Sequence, residues 1–176
     1  MRSARSGAPP GARGFGISHL VVGAARAGPA GAAATAGVVV ALDQATKQLV
    51  VSHIPRGDEV SVFPGLELTN ARNTGVAFGA LEGGGLVVAV LIGLALALLV
   101  GYFVLHRDMP WLWLPVGLLL GGALGNLADR AREGAVVDFI DPIAWPAFNI
   151  ADTCIVIGVL LLLYVVEVLP KRVGGR

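Results

Sequence analysis

The sequence predicts an all-α membrane protein: four transmembrane helices carrying a small extracytoplasmic β-sheet and a short interfacial helix. Three observations predict it. First, of the 176 residues 55% are hydrophobic and 14% charged, with a mean hydropathy of +0.76. A soluble domain carries about 25% charged residues, so this chain has more apolar surface than one small core can hide. Second, apolar stretches recur at roughly Ala32–Val51, Leu86–Leu105, Trp111–Leu127 and Ile150–Leu169, each close to the ~20 residues a spanning helix needs. Third, a polar segment between the first two stretches alternates like a pair of short strands.

The second and fourth stretches are clean. The first carries Asp43 and Lys47, and the third is short and rich in glycine. Leaving either out breaks the even spacing and the charge pattern, so four spans are read. Basic residues near helix ends set orientation. With the N-terminus inside, Arg2, Arg5, Arg13, Arg26, Arg107, Lys171, Arg172 and Arg176 are cytoplasmic, eight of the thirteen Lys and Arg. Arg56, Arg72, Arg130 and Arg132 lie outside. Of the twelve acidic residues only Asp108 and Glu167 fall on the inner side. Acids contribute little to topology, so their crowding outside points to a site at the outer membrane surface.

This orientation divides the chain into a disordered cytoplasmic extension (1–30), one four-helix domain (31–170) and a cytoplasmic tail (171–176). The outer segments are about 52–85 and 128–149. The apolar patch Ile17–Ala25 behind Arg2, Arg5 and Arg13 faintly resembles a secretory signal, but its core is short and broken by His19 and a span follows directly, so a cytoplasmic extension is the expectation. In the first outer segment, Val60, Val62, Leu66 and Leu68 alternate around Pro64-Gly65, a hairpin signature. The next residues, Asn73-Thr-Gly-Val-Ala-Phe78, read as a loop returning towards the bilayer. The second outer segment holds Pro142 and Pro146 and reads as a turn with the interfacial helix, Trp145 lying at headgroup depth.

Net charge is +1 and no dense basic run occurs, so nothing argues for nucleic acid. The single Cys154 excludes an internal disulfide and any multi-cysteine metal site. His19, His53 and His106 fall on different sides of the membrane, so neither a Cys/His nor a Ser/His constellation assembles.

Ionisable side chains at membrane depth are functional hypotheses by default. Asp43 and Lys47 stand four apart on one helix face, as a structural ion pair or as chemistry. A lysine base needs a nucleophilic serine, and only Ser52 and Ser61 lie outside the extension. Gly121 and Gly125 are spaced for close helix approach, with Asn126, Asp129 and Arg130 following. Asp129 reads as a helix-end carboxylate neutralised by Arg130 or Arg132, and Asp141, before Pro142, as a turn or helix-start residue. Asp138 lies in the apolar run Ala135-Val-Val-Asp-Phe-Ile140, with no cation within five residues. It is poorly solvated, with a raised pKa, or paired through space. Asp152 falls at the third position of the fourth helix if Asn149 caps it. Together Asp138 and Asp152 offer two carboxylates at one interface, the equipment for activating a water and protonating a carbonyl. A transporter would instead line a route across the bilayer, and these acids crowd one face.

Five blocks now form a pattern: Asp43-x-x-x-Lys47, Asn73-Thr-Gly-Val-Ala-Phe78, Gly121-Gly-Ala-Leu-Gly-Asn-Leu-Ala-Asp-Arg130, Gly134-Ala-Val-Val-Asp-Phe139 and Phe148-Asn-Ile-Ala-Asp152. In this order and over about Gly37 to Leu169, they resemble lipoprotein signal peptidase, also called signal peptidase II. The resemblance implies an aspartic endopeptidase of the bacterial cell membrane. Its substrates would be diacylglyceryl-modified prolipoproteins, cut before the lipidated cysteine, in contact with membrane phospholipid. It implies inhibition by globomycin and no metal or organic cofactor. Asp138 and Asp152 match the catalytic aspartates. Asn73, Gly75, Asn126, Arg130 and Asn149 match the motifs around the substrate site, Asp43 and Lys47 the first-helix motif, and Asp129 the third-helix block. Val76 departs from the alanine of many relatives. The glycines of the third helix are expected to leave room for the incoming chain.

Overall fold

The computed structural model describes residues 27–75 and 85–168. The N-terminal extension up to residue 26, the returning loop 76–84 and the tail from 169 lie outside the described residues. The elements run α1 (Gly28–His53), β1 (Glu59–Phe63), β2 (Leu66–Asn73), α2 (Gly85–Leu105), α3 (Trp113–Glu133), β3 (Val136–Pro142) and α4 (Ile150–Leu163), which closes on a π-helical turn, Tyr164–Val168.

Helix α3 is the centre of the bundle, with α1 and α4 packed closely along it and α2 more lightly. Glycine makes this packing possible. A Cβ at Gly117 would lie 2.6 Å from Thr35 Cβ, one at Gly121 2.7 Å from Val39 Cβ, and one at Gly122 2.5 Å from the Ala151 carbonyl oxygen. Real Cβ atoms do not approach so closely, so the glycine face of α3 is filled by α1 and α4. The expected vacancy for an incoming chain is therefore not on this face. The small residues give close helix approach.

Beside apolar clusters around Leu112 and Val116 and around Ile54 and Phe139, the bundle buries charged groups while its outer surface is apolar. Val38, Leu42 and Leu49 of α1, Leu91, Leu94 and Leu98 of α2, and Val156 and Leu160 of α4 are exposed, whereas Asp43, Lys47, Asn126 and Asp129 are buried. Water would reverse this arrangement; a lipid solvent favours it. Among the described residues, Ile150–Val168 alone is both long and apolar enough to cross a bilayer, with hydropathy 2.2. Helix α1, with 26 residues, and α3, with 21, are long enough, but their buried polar groups dilute the apolar signal.

The hairpin forms around Pro64-Gly65 as the alternation predicts, pairing Glu59 with Thr69 and Val60 with Leu68. The second outer segment differs from its reading. It contributes a third antiparallel strand, β3, giving the sheet order β1-β2-β3, and no helix lies between Gly134 and Asn149. The apolar run around Asp138 is rich in β-branched and aromatic residues and finds a ready edge on β2. Asp141 accordingly sits in the strand opposite Glu67, not in a turn or helix start. Helix α3 also runs on to Glu133, beyond the expected end at Leu127, and stops where Gly134 takes φ 71° and donates its N–H to the Arg130 carbonyl at 3.0 Å. At the other end of the chain, α1 starts at Gly28, within the last residues assigned to the extension.

Candidate active site

Two local structures bring Asp138 and Asp152 together. Phe148 makes a β-bridge to Ile140, its carbonyl accepting from the N–H of Phe139 (3.0 Å) and Ile140 (2.9 Å). The start of α4 is thereby fastened beside β3, two residues from Asp138. At that start, Asn149 and Asp152 form a capping box: Asn149 Oδ1 accepts from Asp152 N at 2.9 Å, and Asp152 Oδ2 from Asn149 N at 3.3 Å. The other end of the Asn149 amide, Nδ2, donates to Asp138 Oδ1 at 2.8 Å. One fully buried asparagine thus touches both carboxylates.

Asn126 of α3 is the second link. Its Nδ2 donates to Asp152 Oδ1 at 2.7 Å, while its Oδ1 accepts from Asn149 Nδ2 at 3.1 Å and from Lys47 Nζ at 3.0 Å. A flipped amide would set donors against an ammonium and a second amide, so its orientation is fixed. Asn73, at the end of β2, donates from Nδ2 to Asp138 Oδ2 at 2.9 Å and accepts on Oδ1 from Gly75 N at 2.8 Å. That turn needs φ 76° at Gly75, a conformation that favours glycine. Arg130 stands beside it: its Nη2 is 3.9 Å from where a Gly75 Cβ would be. Asp138 itself is 3% exposed. Burial pushes its carboxyl above the ordinary range, and the nearby Asp152 charge adds to this, against the Asn73 and Asn149 hydrogen bonds and Lys47.

Beneath the two aspartates lies a charge cluster. Lys47 Nζ contacts Asp43 Oδ2 and Asp129 Oδ2, each at 2.8 Å, besides Asn126. Its three N–H donors are therefore all used, which leaves no free amine to act as a base. The pairing of Asp43 with Lys47 is as expected. The partner of Asp129 is not: Lys47 neutralises it, in place of Arg130 or Arg132. Helix α3 turns Asp129 towards α1, and its Oδ2 also accepts from Val137 N at 3.2 Å. Asp43 Oδ1 accepts from Ala151 N at 3.0 Å, tying α1 to the start of α4. The sequence reading missed Gln44, whose Nε2 lies 2.9 Å from Asp129 Oδ1. Its signal was position alone, inside the polar interruption of an apolar helix.

The ten site candidates, Asp43, Lys47, Asn73, Gly75, Asn126, Asp129, Arg130, Asp138, Asn149 and Asp152, therefore lie at one end of the bundle beside the sheet. The family described as signal peptidase (SPase) II matches residues 35–168. The chain belongs to the signal peptidase II family. It is 46% identical over 127 residues to the lipoprotein signal peptidase of Pelotomaculum thermopropionicum, covering 71% of this chain and 84% of that one. To the lipoprotein signal peptidase of Syntrophus aciditrophicus it is 42% identical over 149 residues, covering 78% and 91%. A solved structure described as a bacterial membrane enzyme, obtained by the in meso method at 1.9 Å resolution, superposes with a TM-score of 0.70 at 36% identity, over 78% of this chain and 92% of that one. Membership of the signal peptidase II family makes this chain a membrane peptidase of lipoprotein maturation.

Proposed function

We propose that Asp138 and Asp152 are the catalytic dyad of an intramembrane aspartic endopeptidase. It cleaves diacylglyceryl-modified prolipoproteins on the amino side of the lipidated cysteine. The observation that carries this reading is Asn149, whose Nδ2 donates to the Asp138 carboxylate at 2.8 Å and whose backbone N–H donates to the Asp152 carboxylate at 3.3 Å, so that one buried residue holds both acids.

The chemistry follows from two carboxyls sharing one proton. The ionised member takes a proton from water, whose oxygen attacks the scissile carbonyl carbon. The protonated member gives its proton to the carbonyl oxygen. The tetrahedral intermediate then breaks its C–N bond: the leaving amine takes the proton that came from water, and one hydroxyl of the intermediate returns its proton to the carboxylate that donated it, which leaves a carboxylic acid and restores the shared proton. The pair titrates as a unit. The Asn126 and Asn149 donors hold the Asp152 carboxylate in place. Asn73, Gly75 and Arg130 form the rim on which the peptide and its lipid would rest. Lys47, Asp43 and Asp129 support Asn126 from below, and no metal or organic cofactor takes part in this scheme.

In this reading four helices span the cell membrane with both chain ends in the cytoplasm. The sheet lies at the outer face, in contact with phospholipid. Purified protein should cleave a diacylglyceryl-modified precursor and leave the unmodified precursor intact. Globomycin, acting as a non-cleavable mimic at the dyad, should block turnover and bind Asn73→Ala more weakly. Equal cleavage of both precursors would overturn the substrate assignment, and full-strength globomycin binding to a variant lacking both Asp138 and Asn73 would place the inhibitor elsewhere.

A further inference from the structure

Gln44 lies beside the site and has no part in the roles proposed so far. It follows Asp43 on α1, half-buried, with its amide turned towards α3. Nε2 lies 3.1 Å from Asp43 Oδ2, 2.9 Å from Asp129 Oδ1 and 3.2 Å from the Gly125 carbonyl oxygen. Oε1 accepts from the guanidinium of Arg132, which is also held by the Ala128 carbonyl at 3.2 Å. The amide has a single sensible orientation, since carboxylates must face its NH2 end and the guanidinium its oxygen.

We infer that Gln44 is a positioning residue for the dyad: by bridging Asp43 and Asp129 it keeps the Lys47 ammonium on Asn126, and Asn126 on Asp152. The inference rests on the proposed role of Asp138 and Asp152.

The reason is a competition for Lys47. Its three donors serve two carboxylates and one neutral amide oxygen. All three bonds carry the ammonium charge, but a carboxylate offers it a full opposite charge and the Asn126 amide only a dipole, so the Asn126 contact is the one at risk. Asp129 Oδ2 already has Lys47 and the Val137 N–H, and Asp43 Oδ1 has the Ala151 N–H. Gln44 supplies the donor for Asp129 Oδ1 and a second one for Asp43 Oδ2. Without it a buried carboxylate oxygen of Asp129 lacks a partner, and the ammonium is drawn from Asn126 towards it. Asn126 then donates less well to Asp152, because hydrogen bonds in a chain polarise one another. The Lys47 charge, which favours the ionised form of Asp138, also acts less strongly on the dyad. Gln44 makes no hydrogen bond to Asn73, Gly75 or Arg130, so substrate binding is untouched.

The test is a pH–rate profile of precursor cleavage by purified Gln44→Leu and Gln44→Glu. The acid limb reports the ionisation that creates the base. For Gln44→Leu, KM should stay at the wild-type value while kcat falls, on the order of 10- to 100-fold for a displaced catalytic group. With less positive charge at the dyad the acid limb should move to higher pH, by on the order of one unit. Gln44→Glu removes both donors and sets a further carboxylate beside Asp43 and Asp129, so both effects should be larger. Should either variant fail to fold, Arg132→Met, at an exposed position, loosens the same bridge and should shift the limb in the same direction by less. Folded variants with wild-type kcat and acid limb, or a loss confined to KM, would overturn the positioning role while Asp138→Asn stays inactive. Turnover by Asp138→Asn would instead overturn the dyad on which it rests.

Discussion

Gly125 of α3 and Asp43 of α1 are packed so closely that a Cβ on the glycine would meet Asp43 Oδ2 at 2.7 Å. The glycine is thus the space in which a buried carboxylate reaches Lys47 and the Ala151 N–H. Gly125→Ala should cost about 1–3 kcal/mol through overpacking and lower activity, since Asp43 anchors the start of α4. Gly37→Ala on the open face of α1, where nothing lies within 4 Å, should be neutral or stabilising by about 0.4–1 kcal/mol. Thermal unfolding of both variants in detergent checks the contrast, and an unchanged midpoint for Gly125→Ala would contradict the close packing.

Lys47 is a cation held between two buried carboxylates. Lys47→Met leaves Asp43 and Asp129 facing each other without compensation, which should cost about 3–5 kcal/mol. Combining it with Asp43→Asn and Asp129→Asn removes the stranded charges and should recover part of that stability, though not activity. Denaturation of the single and triple variants reads both effects. A triple variant less stable than Lys47→Met would show that charge is not the cause.

The buried Asp138 carboxyl makes stability depend on pH in a definite sense. Burial raises its folded pKa above the ordinary carboxylate range, so the folded state holds this proton longer than the unfolded state as pH rises. The resulting stabilisation is complete below the unfolded value and is lost as pH climbs through the folded one. Asp138→Asn lacks this contribution. The unfolding midpoint of the wild type should therefore fall more steeply than that of Asp138→Asn between about pH 4, near the unfolded value, and neutrality. Parallel curves would contradict a buried, proton-retaining Asp138.

The proposed orientation rests on the basic residues near the helix ends. Reporter fusions after Asp108 and after Arg176 should report cytoplasm, and those near Glu67 and Glu133 the opposite side. A Glu133 fusion reporting cytoplasm would break the four-span reading, because β2 and β3 could then not share a sheet at the outer face.

Much of this site was legible in the sequence, for reasons that are local. The hairpin rests on Pro64-Gly65 and period-two alternation, and the α4 cap on Asn149 and Asp152 three apart, both short-range signals. What the sequence left open depends on contacts between distant segments. The segment of β3, with Pro142 and Pro146 close by, reads as a turn and short helix until the edge of β2 is present. The sequence neighbours Arg130 and Arg132 suggest themselves as partners of Asp129, and only helix packing brings Lys47 near. The glycines of α3 suggest room for substrate, whereas they serve the approach of α1 and α4. Gln44 has only its position to mark it, since a polar residue beside Asp43 reads as solvation until α3 faces it.

The most direct test of the account is turnover of a diacylglyceryl-modified precursor by purified, folded Asp138→Asn, Asp152→Asn, the double variant and Asp141→Asn. Each dyad variant removes proton exchange, so each alone should abolish cleavage, and the double variant should be little worse, as for residues that act as a unit. Asp141→Asn, on the strand opposite Glu67, should keep most activity. Substantial turnover by either single dyad variant with wild-type thermal stability would contradict the aspartic mechanism.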